Sequence, residues 1–263
     1  MVEVAPSFDD SAAYDRFMGP WSNAAGLVFI DWLSPPANAQ WLDVGCGTGA
    51  FTQIVIDRCI PTEVFAIDPE PAQVDYAMRR PAAAKVNFQV GDARSLPFPS
   101  NSFDVVVSAL VLNFIPDRRG ALAEMRRVAR AGGVVAAYIW DFANELSPSG
   151  PLRSGLRHFG LELPGMPGAS QSSLHALHSM FEQAGLEKIV TKAFDLTVPY
   201  SGFDDFWHAQ TSSHSPTTNM VATLSAADRE RLAKIMRADL PNCSDRSIRY
   251  VARANAIKAH VPA

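Results

Sequence analysis

The chain has 263 residues, 48% of them hydrophobic and 19% charged, with a formal net charge of −4. That length supplies one large α/β domain or a domain with a modest insertion, and the apolar share excludes wholesale disorder. The acidic balance argues against a surface dedicated to nucleic acid or to anionic membrane, and the apolar runs, such as Val134 to Trp140, are too short to span a bilayer.

Residues 1–40 are expected to form an N-terminal helical segment. From Trp41 to Trp140 strands and helices alternate. Trp41-Leu42-Asp43-Val44 reads as a short buried strand, and Ala50 to Cys59 places Phe51, Ile54 and Val55 at helical spacing. Val64-Phe65-Ala66-Ile67 is a second buried strand ending at Asp68. Pro71 suits the first turn of the next helix, and Pro81 is expected to stop it. Val86 to Val90 and Phe103 to Leu110 are the third and fourth strands. Asp117 can cap a helix that buries Leu122, Met125 and Val128 and ends before Gly132-Gly133. Val134 to Trp140 is the fifth strand. Near-continuous apolar strands between amphipathic helices indicate a parallel sheet covered on both faces.

Residues 141–173 are rich in glycine and proline and read as a long loop with short helical pieces, a kind of segment that is usually functional or mobile. A helix carrying Leu174, Leu177 and Phe181 follows, closed by Gly185 as its C′ residue. Leu186 to Thr197 is a strand. Residues 203–240 are mostly helical, with Ser225 and Asp228 forming a variant capping box before Leu232, Ile235 and Met236. Ser247 to Ala259 is expected to be the final strand. Cys46, Cys59 and Cys243 are far apart and form no metal-binding spacing, and the N-terminus lacks the regions of a secretory signal. Free thiols in a reducing cytoplasm, and no bound metal, are therefore expected.

The chemistry concentrates at strand ends. Gly45-Cys46-Gly47-Thr48-Gly49 lies at the first, where open parallel sheets bind ligands and where glycines let the backbone approach one closely. Gly45, Gly47 and Ala50 also satisfy the dinucleotide spacing G-x-G-x-x-G/A, so an NAD(P)-dependent oxidoreductase is a rival reading. Asp43, at the strand tip, would repel a pyrophosphate but attract a cofactor bearing an ammonium and a sulfonium. Asp68, followed by Pro69, can accept hydrogen bonds from both ribose hydroxyls, which supports a nucleoside of either kind. In Gly91-Asp92-Ala93 the carboxylate can accept from an adenine amino group.

Leu42 to Gly49, Ala66-Ile67-Asp68, Gly91-Asp92-Ala93, Leu96-Pro97-Phe98, Ser102 to Val106 and Arg127 to Gly133 resemble the successive motifs of the UbiE/methyltransferase-11 branch of class I methyltransferases. The resemblance covers residues 14–140 well and the remainder only in outline. It implies a Rossmann-like α/β fold with a seven-stranded, mostly parallel sheet, an antiparallel last strand and a helical cap insertion, all in one domain. It also implies S-adenosylmethionine (SAM) as methyl donor and S-adenosylhomocysteine as product. Gly45, Gly47 and Gly49, with Cys46, would surround the methionine part, Asp68 the ribose, and Asp92 with Ala93 the adenine. The segment Tyr14 to Ser22 is similar to one that folds over the cofactor in relatives. There Tyr14 and Arg16 would reach the methionine carboxylate, unless Phe17, Met18 and Trp21 simply pack a helix on the sheet.

One departure is clear. Where family members often carry histidines after the fourth strand, this chain has Leu112-Asn113-Phe114, and Asn113 cannot act as a base. The region also lacks the Asn/Asp-Pro-Pro-aromatic motif of amino-methylating DNA enzymes. Methyl transfer is a direct displacement, so alignment and exclusion of water matter most. A base, if needed, would come from His158, His175, His178, His208, His214, Tyr14 or Tyr200, with His208 slightly favoured because it follows Phe206-Trp207. Segments 141–173 and 200–240, with aromatics such as Trp140, Phe142, Phe203 and Trp207, are expected to form the pocket for a small, partly apolar acceptor. A non-catalytic SAM-binding protein is the third reading.

Overall fold

The structure, a computed structural model, describes residues 11–212, 215–240 and 247–263, with the side chains of residues 11–16 and 216 outside that description. Seven strands form one sheet: β1 (Gln40–Val44), β2 (Glu63–Asp68), β3 (Val86–Val90), β4 (Phe103–Ala109), β5 (Ala129–Trp140), β6 (Glu187–Thr197) and β7 (Val251–His260), in the order β3-β2-β1-β4-β5-β7-β6. The first five run parallel. β7 is antiparallel to both of its neighbours, pairing Trp140 with Ala254 and Thr197 with Val251. The start of β7 therefore lies beside the end of β5, on the rim where the parallel strands finish.

Strand alternation sends side chains to two cores. One face receives Trp41, Val105, Val107, Tyr138, Trp140 and Ala254; it is covered by α1 (Ser11–Leu33), α2 (Ala50–Arg58), α5 (Gly150–Phe159), α7 (Phe203–Thr211), α8 (Pro216–Thr223) and α9 (Ala226–Asp239). The other receives Leu42, Val44, Val106, Val135, Ile139 and Ile257 and is covered by α4 (Arg118–Val128) and α6 (Leu174–Gln183). In α1 the residues Trp21, Ala25, Phe29 and Leu33 recur every four positions and are all buried, a stripe that fixes this helix to the sheet. Phe17, Met18 and Trp21 are thus core residues.

Four local expectations are corrected. The helix after β2, α3 (Pro71–Ala77), stops before Pro81, which instead opens a 3-10 turn over Pro81–Lys85. β5 begins at Ala129, because Gly132 at φ 75° lets the strand continue through an irregular register rather than ending in a loop. The glycine- and proline-rich stretch contains a full ten-residue helix, α5, whose buried face is Leu152, Arg153, Gly155 and Leu156. The last strand starts at Val251, four residues later than the sequence suggests.

Candidate functional site

The turn between β1 and α2 is built by its glycines. Gly45 and Cys46 both donate their N–H to Ile67 O at 2.8 Å, turning the chain sharply over the end of β2. Gly45 sits at φ 79°, and a Cβ there would lie 2.4 Å from Val111 Cγ1, so this position needs glycine twice over. At Gly47 the space is open: a Cβ would meet nothing nearer than Gln73 Oε1 at 3.9 Å. Gly49 leads into α2, whose first turn carries neither an acidic residue nor a side-chain cap, leaving the positive end of the helix turned to the loop. The glycine turn, the helix end and the opening at Gly47 make a cradle for an anionic or polar group.

Two carboxylates lie against this turn. Asp68 Oδ2 accepts the Gly47 N–H at 2.9 Å, and Oδ1 accepts the Glu70 N–H at 3.0 Å across Pro69. Burial raises its pKa above the ordinary carboxylate value, against the pull of those two N–H groups. Asp43 does not stand open at the strand tip as its sequence position suggests. Its side chain is only 1% exposed and turns towards α2, where Oδ2 accepts the Thr52 hydroxyl at 2.6 Å. Oδ1 has no partner among the described residues. Burial without a counter-charge pushes Asp43 up to about 7. A buried orphan acceptor under a glycine turn is what a cationic ligand would satisfy, so the residues present fit a cofactor bearing an ammonium or sulfonium. The thiol of Cys46 is buried beside both acids and is held well above its ordinary pKa, so it is no thiolate nucleophile.

At the third strand end Gly91 N donates to Asp68 O at 3.0 Å, which places Asp92 and Ala93 next to the ribose candidate. The Asp92 carboxylate is half exposed and gripped by Arg94, with Nη2 2.6 Å from Oδ2; that cation holds it below the usual carboxylate range. An adenine amino group would use the lone pairs this fork leaves free. Tyr14 and Arg16 fall within α1, but their side chains lie outside the described residues, as does His214.

The favoured base is placed unfavourably. His208 is exposed on α7, with Nδ1 3.1 Å from Ser212 Oγ. His158 pairs with Asp239 at the surface, and His175 and His178 are exposed. Asn113 is buried at the exit of β4, with its Nδ2 towards Pro167 O at 3.4 Å and Oδ1 unpartnered among the described residues. Leu110, three residues before it, holds φ 62°, a strained geometry for a leucine. Among the described residues no group of three or more His, Cys, Asp or Glu side chains is arranged to hold a metal ion, and no helix is long and apolar enough to cross a membrane.

A second cluster, which sequence reasoning met only as scattered aromatics, stands at the end of β5. Trp21 Nε1 donates to Tyr200 Oη at 2.9 Å, 179 positions away. Tyr200 and Tyr250 stack with rings 6.1 Å apart and 4° from parallel. Trp21 meets Trp140 edge-on at 6.4 Å, and Phe206 meets Tyr200 edge-on at 5.5 Å. Gln210, fully buried on α7, donates to both Pro148 O and Tyr250 Oη at 2.9 Å. Backbone bonds between Tyr200 and Ile248 lock the cluster to the sheet beyond β6 and β7.

The sheet order and the glycine turn at the end of β1 define the class I methyltransferase architecture. Residues 42–137 match the model of a family described as a methyltransferase domain. The chain is 33% identical over 163 residues to a malonyl-[acyl-carrier protein] O-methyltransferase of Serratia marcescens, covering 61% of this chain and 60% of that protein. It is 35% identical over 117 residues to the ubiquinone/menaquinone biosynthesis C-methyltransferase of Dinoroseobacter shibae, covering 43% and 45%. The chain thus spans about half the length of these two relatives. Among solved structures, phosphoethanolamine N-methyltransferase 2 of Haemonchus contortus, in complex with SAM, superposes with a TM-score of 0.60 over 98% of this chain and 58% of that one, at 18% identity, a likeness of fold.

Proposed function

We propose that this chain transfers a methyl group from SAM to a small, partly apolar acceptor by direct displacement. The observation that carries the reading is a juxtaposition on one rim. The glycine turn with Asp43 and Asp68 lies at the ends of β1 and β2, and the aromatic cluster of Trp21, Trp140, Tyr200, Phe206 and Tyr250 lies at the end of β5, two strands away. Adjacent strands are about 4.8 Å apart, so the two sites are within the length of one cofactor.

In this reading Asp68 holds the ribose hydroxyls, Asp92 and Ala93 border the adenine, and the turn Gly45 to Gly49 receives the methionine part. Asp43 supplies negative charge beneath the cationic groups. SAM supplies, when bound, an electrophilic methyl group already activated by its sulfonium. The protein aligns an acceptor behind that methyl and keeps water away, tasks suited to a buried aromatic wall. The exposed positions of His158, His175, His178 and His208 support a reaction that relies on alignment rather than on a histidine base. The acidic balance supports an acceptor other than nucleic acid, and the free, buried Cys46 and Cys59 accord with a reducing compartment such as the cytoplasm.

Calorimetric titration with SAM, S-adenosylhomocysteine and NAD tests the cofactor; tight NAD binding with no SAM binding would overturn the reading. Labelled methyl transfer to a cell metabolite extract then separates an enzyme from a silent SAM binder. Excising residues 200–240 is not a clean test of the acceptor pocket, because Phe206, Gln210, Leu232 and Met236 from that stretch are buried in the core.

A further inference from the structure

This inference rests on the reading above and concerns what the acceptor pocket recognises. Tyr250 is fully engaged: its Oη donates to Pro148 O at 2.7 Å and accepts from Gln210 Nε2 at 2.9 Å. Both amide hydrogens of Gln210 are used, on Pro148 O and Tyr250 Oη, yet its Oε1 has no donor among the described residues. Trp140 Nε1 is likewise buried with no acceptor among them. Tyr200 Oη takes the Trp21 N–H, but for its own proton the hydrogen-bonded neighbour is Tyr250 Oη at 3.5 Å, well beyond the usual O–H···O distance of about 2.7–2.8 Å. Three polar groups around one aromatic cluster are therefore underused: two donors, the Tyr200 O–H and Trp140 N–H, and one acceptor, Gln210 Oε1. A buried polar group left unmet is costly, and groups of this kind in a native fold call for a missing partner.

The missing partner must both accept and donate, and it must be uncharged. The groups that hydrogen-bond to Tyr200, Tyr250 and Gln210 in the described residues are neutral. The charge felt at Tyr200 is that of Asp205, which is bound to Ser201 and disfavours an anion. Burial raises both phenols, so Tyr200 stays protonated and remains a donor. The walls are flat rings. We infer that Trp140, Tyr200 and Gln210 form a subsite for a neutral hydroxyl group on a flat, apolar frame, with Tyr200 donating to its oxygen and Gln210 Oε1 accepting its proton.

The experiment uses the full chain saturated with S-adenosylhomocysteine and three probes of one shape: 2-naphthol, 2-methoxynaphthalene and 2-naphthoate. Binding is read by ligand-observed NMR, with SAM affinity measured on the same samples. The expected result is a preference for 2-naphthol over the other two of about tenfold or more, the equivalent of one lost neutral hydrogen bond. Tyr200→Phe keeps the ring and should erase most of that preference while leaving SAM affinity unchanged. Gln210→Met should do the same, and it covers the case in which the tyrosine variant does not fold. Equal binding of naphthol and its methyl ether, or a preference that survives both substitutions, overturns the inference. SAM binding without any probe binding also overturns it, because buried water then completes the three groups. Loss of SAM binding by the unaltered protein instead sinks the cofactor reading.

Discussion

Asp68 Oδ2 accepts the Gly47 N–H at 2.9 Å, so the end of β2 grips the glycine turn that ends β1. The same carboxylate takes the Glu70 N–H through its other oxygen, which leaves it aimed and preorganised with lone pairs to spare. Asp68→Ala is expected to weaken SAM by about 1–3 kcal/mol, through lost charge-assisted bonds to ribose and a looser turn. Calorimetry checks this, and an unchanged affinity would mean that Asp68 shapes the turn without touching the nucleoside.

Asp43 gives the protein a pH dependence of definite sign. Its folded pKa of about 7 lies above the ordinary 3.8, so the folded state binds the proton more tightly than the unfolded chain. The resulting stabilisation is complete below the unfolded value and is lost as pH rises through about 7. The melting temperature should therefore fall between about pH 4 and pH 7, the span between the unfolded and folded pKa values, and Asp43→Asn should flatten the fall. Parallel pH profiles for the two proteins would refute the assignment. A cationic cofactor favours the ionised acid, so SAM binding near neutral pH should release protons, seen as a buffer-dependent heat.

Glycines 45 and 47 separate packing from strain. Gly45→Ala forces a Cβ into Val111 as well as a left-handed backbone, and about 2–4 kcal/mol of destabilisation is expected from the two together. Gly47→Ala meets open space and should cost only about 1–2 kcal/mol of backbone strain. Denaturant midpoints rank the two, and the reverse order would contradict the geometry. SAM affinity should drop in Gly47→Ala even though it folds, since its methyl fills the cradle.

Gly155 lets α5 approach α9. A Cβ there would stand 2.4 Å from Met236 Cγ. Gly155→Ala should cost about 1–3 kcal/mol by overpacking, and Met236→Ala about 2–5 kcal/mol by leaving a cavity. The double variant should cost less than the sum, because the new methyl then enters the vacated space. Strict additivity in thermal unfolding would show that the two residues are not in contact.

Arg94 covers Asp92 from the solvent side, and such an exposed, solvent-screened pair contributes little to stability. Arg94→Ala should leave the fold intact and SAM affinity equal or tighter, since the carboxylate then has more lone pairs free for adenine. A tenfold weakening, about 1.4 kcal/mol, would show that Arg94 itself holds the cofactor.

The parallel half of the fold was readable because its signals are local. Strands end in Gly45, Asp68 and Gly91, and helices between them keep an apolar stripe, so order and type follow from period and punctuation. Asp43 shows the limit: its position marks the strand tip, but the turn of its side chain towards Thr52 depends on where α2 packs. Gly132 looked like a stop because a left-handed glycine serves both loops and bulged strands. Trp21, Tyr200, Gln210 and Tyr250 carry no shared spacing at all. Their meeting depends on β7 inserting between β5 and β6, a long-range pairing that no window of sequence contains.

The Tyr200–Ile248 backbone pair acts as a clasp. It ties Tyr200 to Ile248 just beyond β6 and just before β7, so this side of the aromatic cluster is an extension of the ladder. Tyr200 is thereby tied to the ladder of which Trp140 is part, whereas Trp21, Phe206 and Gln210 ride on helices. The proposed subsite, held in this way, would stand before its guest arrives, so acceptors would be sorted by fit to a standing shape and little binding energy would go into assembling it.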